Sequence, residues 1–253
     1  MVLNSFNLSG KNALVTGSQK GLGAAIAIAL AEAGANVAVH GRSADPHNTA
    51  DSVRASGVKV LSLRGDLAHP EVCEEIVEKT FRDFGSIDIL VNNAGIIRRA
   101  PAAEYSLQNW SDVIEVNLNS MFRLCRAAGR YMLKQGSGKI VNIASVLSFQ
   151  GGIFVPAYAA AKGGVVQLTK ALANEWASHA INVNAIAPGY MVTDNTAALR
   201  ADEARNREII ERIPAGRWGN ADDLAGAAVF LASSASNYVQ GHVLVVDGGW
   251  TAR

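Results

Sequence analysis

The chain has 253 residues, 49% of them hydrophobic, and a formal net charge of +1. This length and apolar content suit one large domain with a buried core. No basic tract is present to neutralise phosphates, which argues against a nucleic-acid partner. Cys73 and Cys125 lie far apart with no CxxC partner, so neither a disulfide framework nor a metal site is expected.

The N-terminal segment, Met1–Phe6, lacks a charged region followed by a long apolar run, so no secretion signal is expected. Apolar segments elsewhere are interrupted before the ~18 residues that a membrane span needs. The sequence therefore predicts a cytoplasmic protein without a membrane partner.

Seven short apolar segments, mostly β-branched, alternate with segments of helical period. The predicted strands are Ala13–Thr16, Val37–Val39, Val58–Leu63, Ile87–Asn92, Ile140–Ile143, Ile181–Ile186 and Val243–Val246. The predicted helices are Leu22–Ala33, roughly Asp45–Ser56, Pro70–Phe84, Asn109–Gln135, Tyr158–Ala177 and Ala221–Ala232. Continuous apolar runs are typical of strands buried on both faces, and strict alternation implies right-handed βαβ units. We expect one α/β domain over residues 1–253, a Rossmann-type doubly wound parallel sheet of about seven strands with helices on both faces.

A glycine-rich turn, Thr16–Gly23, joins the first strand to the first helix. Glycines at 17, 21 and 23 let the backbone turn tightly and approach a pyrophosphate, which the N–H groups of the helix N-terminus favour. The position between strand and helix indicates a dinucleotide site, and the alternative is a tight turn without a ligand.

The second strand lacks the acidic residue that binds ribose hydroxyls in NAD-binding proteins. Gly41 stands where that acid would fall and Arg42 follows it, while Lys20 adds a second cation in the glycine turn. Two cations and no acid suit the 2′-phosphate of NADP, so NADP(H) is favoured over NAD(H) as the cofactor. The alternative is that both are solvated surface cations.

Tyr158 and Lys162 are spaced four residues apart, which places a phenol and an ammonium on one face of a helix. A nearby cation stabilises a phenolate and lowers its pKa toward the range of acid–base catalysis. Ser145 ends the fifth predicted strand, where a hydroxyl can bind a substrate oxygen. Together these residues predict a site of proton transfer.

The stretch from Pro188 to about Gly219 is the least regular part of the chain and follows the sixth strand, where ligands bind in open sheets. We expect a mobile substrate lid over residues 188–219, with a surface helical hairpin as the alternative.

Along essentially its whole length the sequence resembles the short-chain dehydrogenase/reductase family. The matching residues are Thr16-Gly17, Gly21, Gly23, Asp66, Asn92-Asn93-Ala94-Gly95, Asn117, Ser145, Tyr158, Lys162, Pro188-Gly189 and Thr193. The resemblance implies hydride transfer between a nicotinamide cofactor and an alcohol or ketone. It also implies a tetramer, which the Ala- and Leu-rich helices Asn109–Gln135 and Tyr158–Ala177 could accommodate.

The resemblance implies four catalytic residues. Tyr158 would move the proton, Ser145 would orient the reacting group, Lys162 would hold the nicotinamide ribose and lower the tyrosine pKa, and Asn117 would anchor a water. Asp66 and Leu67 would flank adenine. The expected cofactor contacts are Gly17, Ser18, Lys20, Gly21, Leu22, Gly23, Arg42, Asp66, Leu67, Asn93, Ala94, Gly95, Tyr158, Lys162, Pro188, Gly189, Met191 and Thr193.

Several segments are similar to the sugar-acid branch of that family, which includes 2-dehydro-3-deoxy-D-gluconate 5-dehydrogenases and, more distantly, gluconate 5-dehydrogenases. They are Ile96–Arg99, Leu147–Gly152, Asn174–Ala177, Arg212–Gly219 and Asp247–Arg253. A sugar acid carries a carboxylate, so we expect Arg98 or Arg99 to pair with it, and Arg98 is the first choice. Gln150 and Tyr190 are expected to bind hydroxyls beside Ser145 and Tyr158; a surface or interface role is the alternative for the arginines.

Two other functions are compatible with parts of the pattern. A 3-ketoacyl-carrier-protein reductase would need a basic docking surface, which the near-neutral charge does not favour. A nucleotide-sensing protein would need the glycine turn but not Asn117, Ser145, Tyr158 and Lys162 together. A two-domain epimerase is disfavoured because little chain remains after the seventh strand.

Overall fold

The computed structural model describes residues 1–43 and 46–253, and the predicted alternation of strands and helices is confirmed within them. The strands are β1 (Asn12–Val15), β2 (Asn36–Gly41), β3 (Val60–Arg64), β4 (Ile89–Asn92), β5 (Gly138–Ile143), β6 (Ile181–Pro188) and β7 (Val243–Val246). The helices are α1 (Gly21–Glu32), α2 (His47–Ala55), α3 (Pro70–Phe84), α4 (Leu107–Ile114), α5 (Ser120–Gln135), α6 (Pro156–Trp176), α7 (Ala197–Ala201), α8 (Glu203–Arg212) and α9 (Ala225–Ala232). The predicted start of the second helix, Asp45, lies outside the described residues.

All strand pairs are parallel, in the order β3-β2-β1-β4-β5-β6-β7. The chain builds outward from β1 to β3, then returns to the centre and builds the other way from β4 to β7. The reversal between β1 and β4 leaves a crevice at the carboxyl ends of these strands, which is where open α/β sheets bind ligands. The predicted doubly wound sheet is therefore confirmed.

Helices cover both faces of the sheet, as predicted. One apolar core contains buried residues of α3, α5 and α6, and the other contains buried residues of α1, α2 and α9. The central strands β1 and β4 are buried along their whole length, because both of their faces are covered. Their continuous apolar sequence is the consequence of that double cover.

The predicted single helix Asn109–Gln135 is interrupted. It consists of α4, a π-helical segment over Glu115–Asn119, and α5. Such π segments often occur at functional sites, and this one contains Asn117, one of the predicted catalytic residues. The predicted helix Ala221–Ala232 also begins differently, as a 3-10 turn over Ala221–Leu224 that precedes α9.

The region after β6, expected to be a mobile lid or a surface helical hairpin, is helical in part. It contains α7 and α8, because residues 199–212 include no glycine or proline and Asp202 caps α8 by accepting the Arg205 N–H. A third apolar cluster lies under this region, with Ile209, Ile213 and Trp218 packed against Trp250. The lid function of residues 188–219 stays a prediction. Among the described residues, no helix combines the length and apolarity needed to cross a membrane.

Candidate active site

The glycine turn between β1 and α1 needs glycine for two different reasons. A Cβ on Gly17 would lie 2.8 Å from the Ala94 Cα, and one on Gly23 would lie 2.5 Å from the Gly17 carbonyl oxygen, so both are required by close packing. Gly21 has φ +60° and would meet nothing within 4 Å. That open space lies at the N-terminus of α1, where Lys20 makes no side-chain cap. The turn therefore fits a pyrophosphate group.

The end of β4 is joined to this turn. The Asn93 amide Nδ2 donates to the carbonyl oxygens of Thr16 and Gly17, each at 3.0 Å. The backbone N–H groups of Asn93 and Ala94 donate to the Thr16 hydroxyl at 3.1 and 3.2 Å. Residues 93–95 thus form one side of the crevice, as predicted for Asn93, Ala94 and Gly95.

His40, at the end of β2, was not singled out by the sequence analysis. It is 2% exposed, its Nδ1 accepts the Gly17 N–H at 3.2 Å, and its Nε2 lies 3.0 Å from the Gly65 carbonyl oxygen. Since a carbonyl only accepts, Nε2 carries the proton and the ring is neutral. Burial lowers the pKa of His40, and the hydrogen bond to Gly65 and the charge of Asp66 oppose this only partly. The one signal in the sequence was a histidine inside an apolar strand.

Two residues predicted to contact the cofactor are buried. Ser18 is fully buried, and its hydroxyl donates to the Val15 carbonyl at 2.8 Å and accepts the His40 N–H at 2.8 Å. Leu67 is 3% exposed and packs in the core on the α3 side. Their contacts with the cofactor stay predictions. Asp66 is half-buried and its carboxylate accepts the Ala68 N–H at 3.0 Å.

The two predicted phosphate-binding cations both lie at the rim of the crevice. Arg42 is exposed at the end of β2. Lys20 is exposed in the glycine turn, beside the half-buried Leu22, and forms an ion pair with Asp194, which follows β6. The ion pair joins the glycine turn to the region after β6, so an anionic ligand would compete with Asp194 for Lys20.

Ser145, Tyr158 and Lys162 come together as the spacing predicts. Lys162 is 3% exposed, and its Nζ donates to the Ile143 carbonyl at 2.5 Å and lies 5.7 Å from the centre of the Tyr158 ring. Burial lowers the pKa of the Lys162 ammonium to about 8. The group connects the end of β5 with α6 at the carboxyl edge of the sheet.

The predicted lowering of the Tyr158 pKa by Lys162 does not appear in this structure. Burial raises the pKa of Tyr158, and a hydrogen bond with Ser145 and the charge of Arg99 reduce this rise only in part. The phenol therefore carries its proton at neutral pH, as a proton donor requires.

Asn117 is fully buried on the π-helical segment. Its Oδ1 accepts the Ile96 N–H at 2.8 Å and its Nδ2 donates to the Ile96 carbonyl at 2.9 Å. The side chain thus fixes the loop after β4 beside the catalytic group, while the predicted anchoring of a water stays a prediction.

The two candidate arginines differ in the phenol on which their charges act. The charge of Arg99 lowers the pKa of Tyr158, and its Nη2 donates to the Asn195 carbonyl at 2.9 Å. Arg98 donates weakly to the Ile97 carbonyl at 3.4 Å, and its charge lowers the pKa of Tyr105. These charge effects favour Arg99, and the pairing of Arg98 with a substrate carboxylate stays a prediction.

The other predicted residues after β5 and β6 lie at the same edge of the sheet. Gln150 accepts the Trp250 indole N–H at 2.9 Å, and the Tyr190 ring lies 4.5 Å from the Trp250 ring. Gly189, next to Pro188, packs so closely on Asp247 that a Cβ would lie 2.7 Å from the Asp247 Cα. Met191 is buried in the core on the α1 side, and its contact with the cofactor stays a prediction.

Thr193 caps the 3-10 turn Asp194–Thr196 at the start of the predicted lid. In residues 1–43 and 46–253 no group of three or more His, Cys, Asp or Glu side chains is placed to hold a metal ion.

A parallel sheet with a glycine turn at its reversal point, beside a serine, tyrosine and lysine, defines a class of nicotinamide-dependent oxidoreductases. Residues 17–251 match a family model described as enoyl-(acyl carrier protein) reductase. Over the full length of both chains, this chain is 56% identical to a 2-dehydro-3-deoxy-D-gluconate 5-dehydrogenase from Dickeya dadantii (strain 3937).

Two solved structures are similar. One is a proposed 2-deoxy-D-gluconate 3-dehydrogenase from Agrobacterium tumefaciens with bound NADP, with a TM-score of 0.92, 56% identity, and coverage of 99% of this chain and 100% of the other. The other is a gluconate 5-dehydrogenase from Burkholderia cenocepacia J2315 in complex with NADP and tartrate, with a TM-score of 0.94, 40% identity and full coverage of both chains. The chain belongs to the short-chain dehydrogenase/reductase family and is an oxidoreductase acting on CH–OH groups.

Proposed function

We propose that this protein interconverts a secondary alcohol and a ketone on a six-carbon sugar acid, with NADP(H) as the cofactor. The observation that carries the proposal is the positive charge of Arg99, which lowers the pKa of the Tyr158 phenol. The carboxylate of a sugar acid would pair with this charge while the alcohol or ketone of the same molecule lies against Tyr158.

The roles of the catalytic residues follow from their contacts. The Tyr158 phenol would give its proton to the carbonyl oxygen during reduction and take it back during oxidation. Ser145, whose hydroxyl lowers the pKa of the Tyr158 phenol, would donate to the same oxygen and orient it. Lys162, fixed by the Ile143 carbonyl, would keep its charge beside the phenol and bind the cofactor ribose. The nicotinamide, when bound, supplies or accepts the hydride.

The proposed cofactor rests on two supports. The end of β2 carries Gly41 and Arg42 in place of a carboxylate, and Lys20 adds an exposed cation in the glycine turn. Both solved relatives described above contain NADP. The open space at Gly21 and the uncapped start of α1 fit the pyrophosphate that NADP and NAD share.

The proposed substrate class rests on the relatives and on Arg99. The names of the relatives specify dehydrogenases of 2-dehydro-3-deoxy-D-gluconate, 2-deoxy-D-gluconate and gluconate. We propose the first of these substrates, with gluconate as the second candidate, because the Dickeya dadantii relative is 56% identical over its whole length.

A screen of NADP and NAD against a panel of sugar acids tests the proposal. We expect the highest kcat/KM with NADP and a keto or hydroxy sugar acid, and loss of turnover in Tyr158→Phe without loss of cofactor binding. Turnover of a 3-ketoacyl thioester but not of any sugar acid would establish the carrier-protein reductase instead. Binding of NADP without turnover of any panel substrate would indicate a sensing protein.

We also propose that the protein is a cytoplasmic homotetramer. The support is the family resemblance, together with exposed apolar side chains on α4 and α5 such as Leu107, Trp110 and Phe122. Sedimentation equilibrium of the purified protein measures the number of subunits.

A further inference from the structure

The last turn of the chain contacts three loops at the carboxyl edge of the sheet. Gly248 and Gly249 have φ values of +63° and +91°, which turn the backbone after β7 so that Trp250 points back toward the sheet. The Asp247 carboxylate fixes this turn by accepting the Gly249 and Thr251 N–H groups, each at 2.8 Å. Trp250 is 5% exposed as a result.

The Trp250 indole determines the orientation of the Gln150 amide. Its Nε1 donates to the Gln150 Oε1 at 2.9 Å. An indole N–H is a donor only, so the amide atom that faces it must be the oxygen. The Gln150 Nε2 is then the end of the amide that remains as a donor to a ligand.

The same ring also contacts the region after β6. The Tyr190 ring lies 4.5 Å from the Trp250 ring, and the Arg212 guanidinium lies 3.9 Å from its centre at the end of α8. Arg253 adds a hydrogen bond to the Glu211 carbonyl at 2.8 Å. Trp250 therefore joins the loop after β5 to the predicted lid.

We infer that Trp250 is a positioning residue for substrate: it holds Gln150 by its oxygen, so that the amide N–H₂ donates to a hydroxyl or carboxylate oxygen of the substrate. The inference rests on the proposed function, because it assigns Gln150 to the substrate pocket. It adds that this subsite selects an acceptor oxygen, and that a residue about 100 positions away in the chain sets this selectivity.

Trp250→Phe tests the inference, because it keeps an aromatic ring against Tyr190 and Arg212 and removes the indole donor together with part of the ring volume. Trp218→Phe is the matched control: Trp218 lies in the same apolar cluster, but its indole donates to Asn206 of α8 at 2.7 Å. We expect Trp250→Phe to raise KM for the sugar acid roughly five-fold, the effect of one net hydrogen bond, with kcat and the NADP Kd unchanged. Trp218→Phe should leave KM within about two-fold of wild type, even if it lowers Tm by as much as Trp250→Phe does.

A double-mutant cycle separates positioning from packing. In a Gln150→Ala background the Trp250→Phe change should have no further effect on KM, since the group it positions is gone. An unchanged KM in Trp250→Phe, or an equal rise in KM with and without Gln150, would overturn the inference. The cycle is measured on whichever hydroxylated panel substrate the wild type turns over. Lack of activity on sugar acids therefore contradicts the proposed function. An unchanged KM in an active Trp250→Phe variant contradicts the positioning role of Trp250.

Discussion

At the scale of the single residue, His40 shows how a buried histidine can connect a ligand-binding turn to the sheet. Both ring nitrogens are used: one accepts from Gly17 in the glycine turn and the other donates to Gly65 after β3. A second proton on the ring would remove the acceptor for the Gly17 N–H. The neutral ring is therefore part of the folded structure.

This arrangement predicts a pH-dependent stability. Burial lowers the folded-state pKa of His40 below its ordinary value of about 6.5, so the unfolded chain binds the proton more tightly. The contribution of the neutral ring is complete above about pH 6.5 and is lost as the pH falls from there toward the lowered folded pKa. Urea unfolding at pH 7.5 and 5.5 should show a smaller loss of unfolding free energy in His40→Asn than in wild type. The matched change at the exposed His69 should behave like wild type.

Arg98 and Arg99 are adjacent in the chain, but the charge of Arg99 acts on Tyr158 and that of Arg98 on Tyr105. Alanine variants of the two residues can therefore be compared directly. Arg99→Ala should raise KM for a sugar acid about ten-fold or more, as expected for loss of a charge-assisted hydrogen bond, and much less for a neutral ketone. It should also raise the pKa of Tyr158 further, because the charge of Arg99 now lowers it. Steady-state kinetics over a range of pH measure both effects. Equal KM increases in Arg98→Ala and Arg99→Ala would contradict the assignment.

At the scale of the element, the turn between β1 and α1 is set by packing as much as by its ligand. A Cβ on Gly23 would lie 2.4 Å from the Asn93 Nδ2 and 2.5 Å from the Gly17 carbonyl oxygen. We expect Gly23→Ala to weaken NADP binding by at least ten-fold and to lower Tm. Gly226→Ala on α9 is the control, because its Cβ meets nothing within 4 Å and alanine favours helix by roughly 0.5–1 kcal/mol. Unaltered NADP titration of Gly23→Ala would refute the packing argument.

Helices and strands were predictable where the local sequence determines them. They were less predictable where contacts between distant segments determine them. The apolar runs of β1 and β4 identify buried strands because both faces are covered. The π segment at Asn117 was not visible in the sequence, which has helical period throughout, and neither was the hydrogen bond of Asn117 with Ile96 in the loop after β4. The helices α7 and α8 agree with the alternative of a surface helical hairpin, but the polar sequence after Pro188-Gly189 did not define their bounds.

At the scale of the whole molecule, strand number and parallel direction followed from the alternation of strands and helices. The grouping of the three catalytic residues was also predictable. Tyr158 and Lys162 are four residues apart on a helix and Ser145 follows a strand end, so local geometry brings them together. Contacts between distant segments were not predictable, such as Lys20 with Asp194 or Gln150 with Trp250. Nothing in the pattern around Arg98 and Arg99 indicates which of them faces Tyr158.

The contact between Trp250 and Gln150 joins residues that the ribosome adds to the chain at different times. A ribosome adds about 5–20 residues per second, so Gln150 is made roughly 5–20 s before Trp250. The glycine turn, β1 to β6 and the Ser145, Tyr158 and Lys162 group are all in the growing chain by then. The nascent protein therefore acquires the residues proposed to bind the cofactor first, and the residue that orients Gln150 for substrate only after β7 has been made.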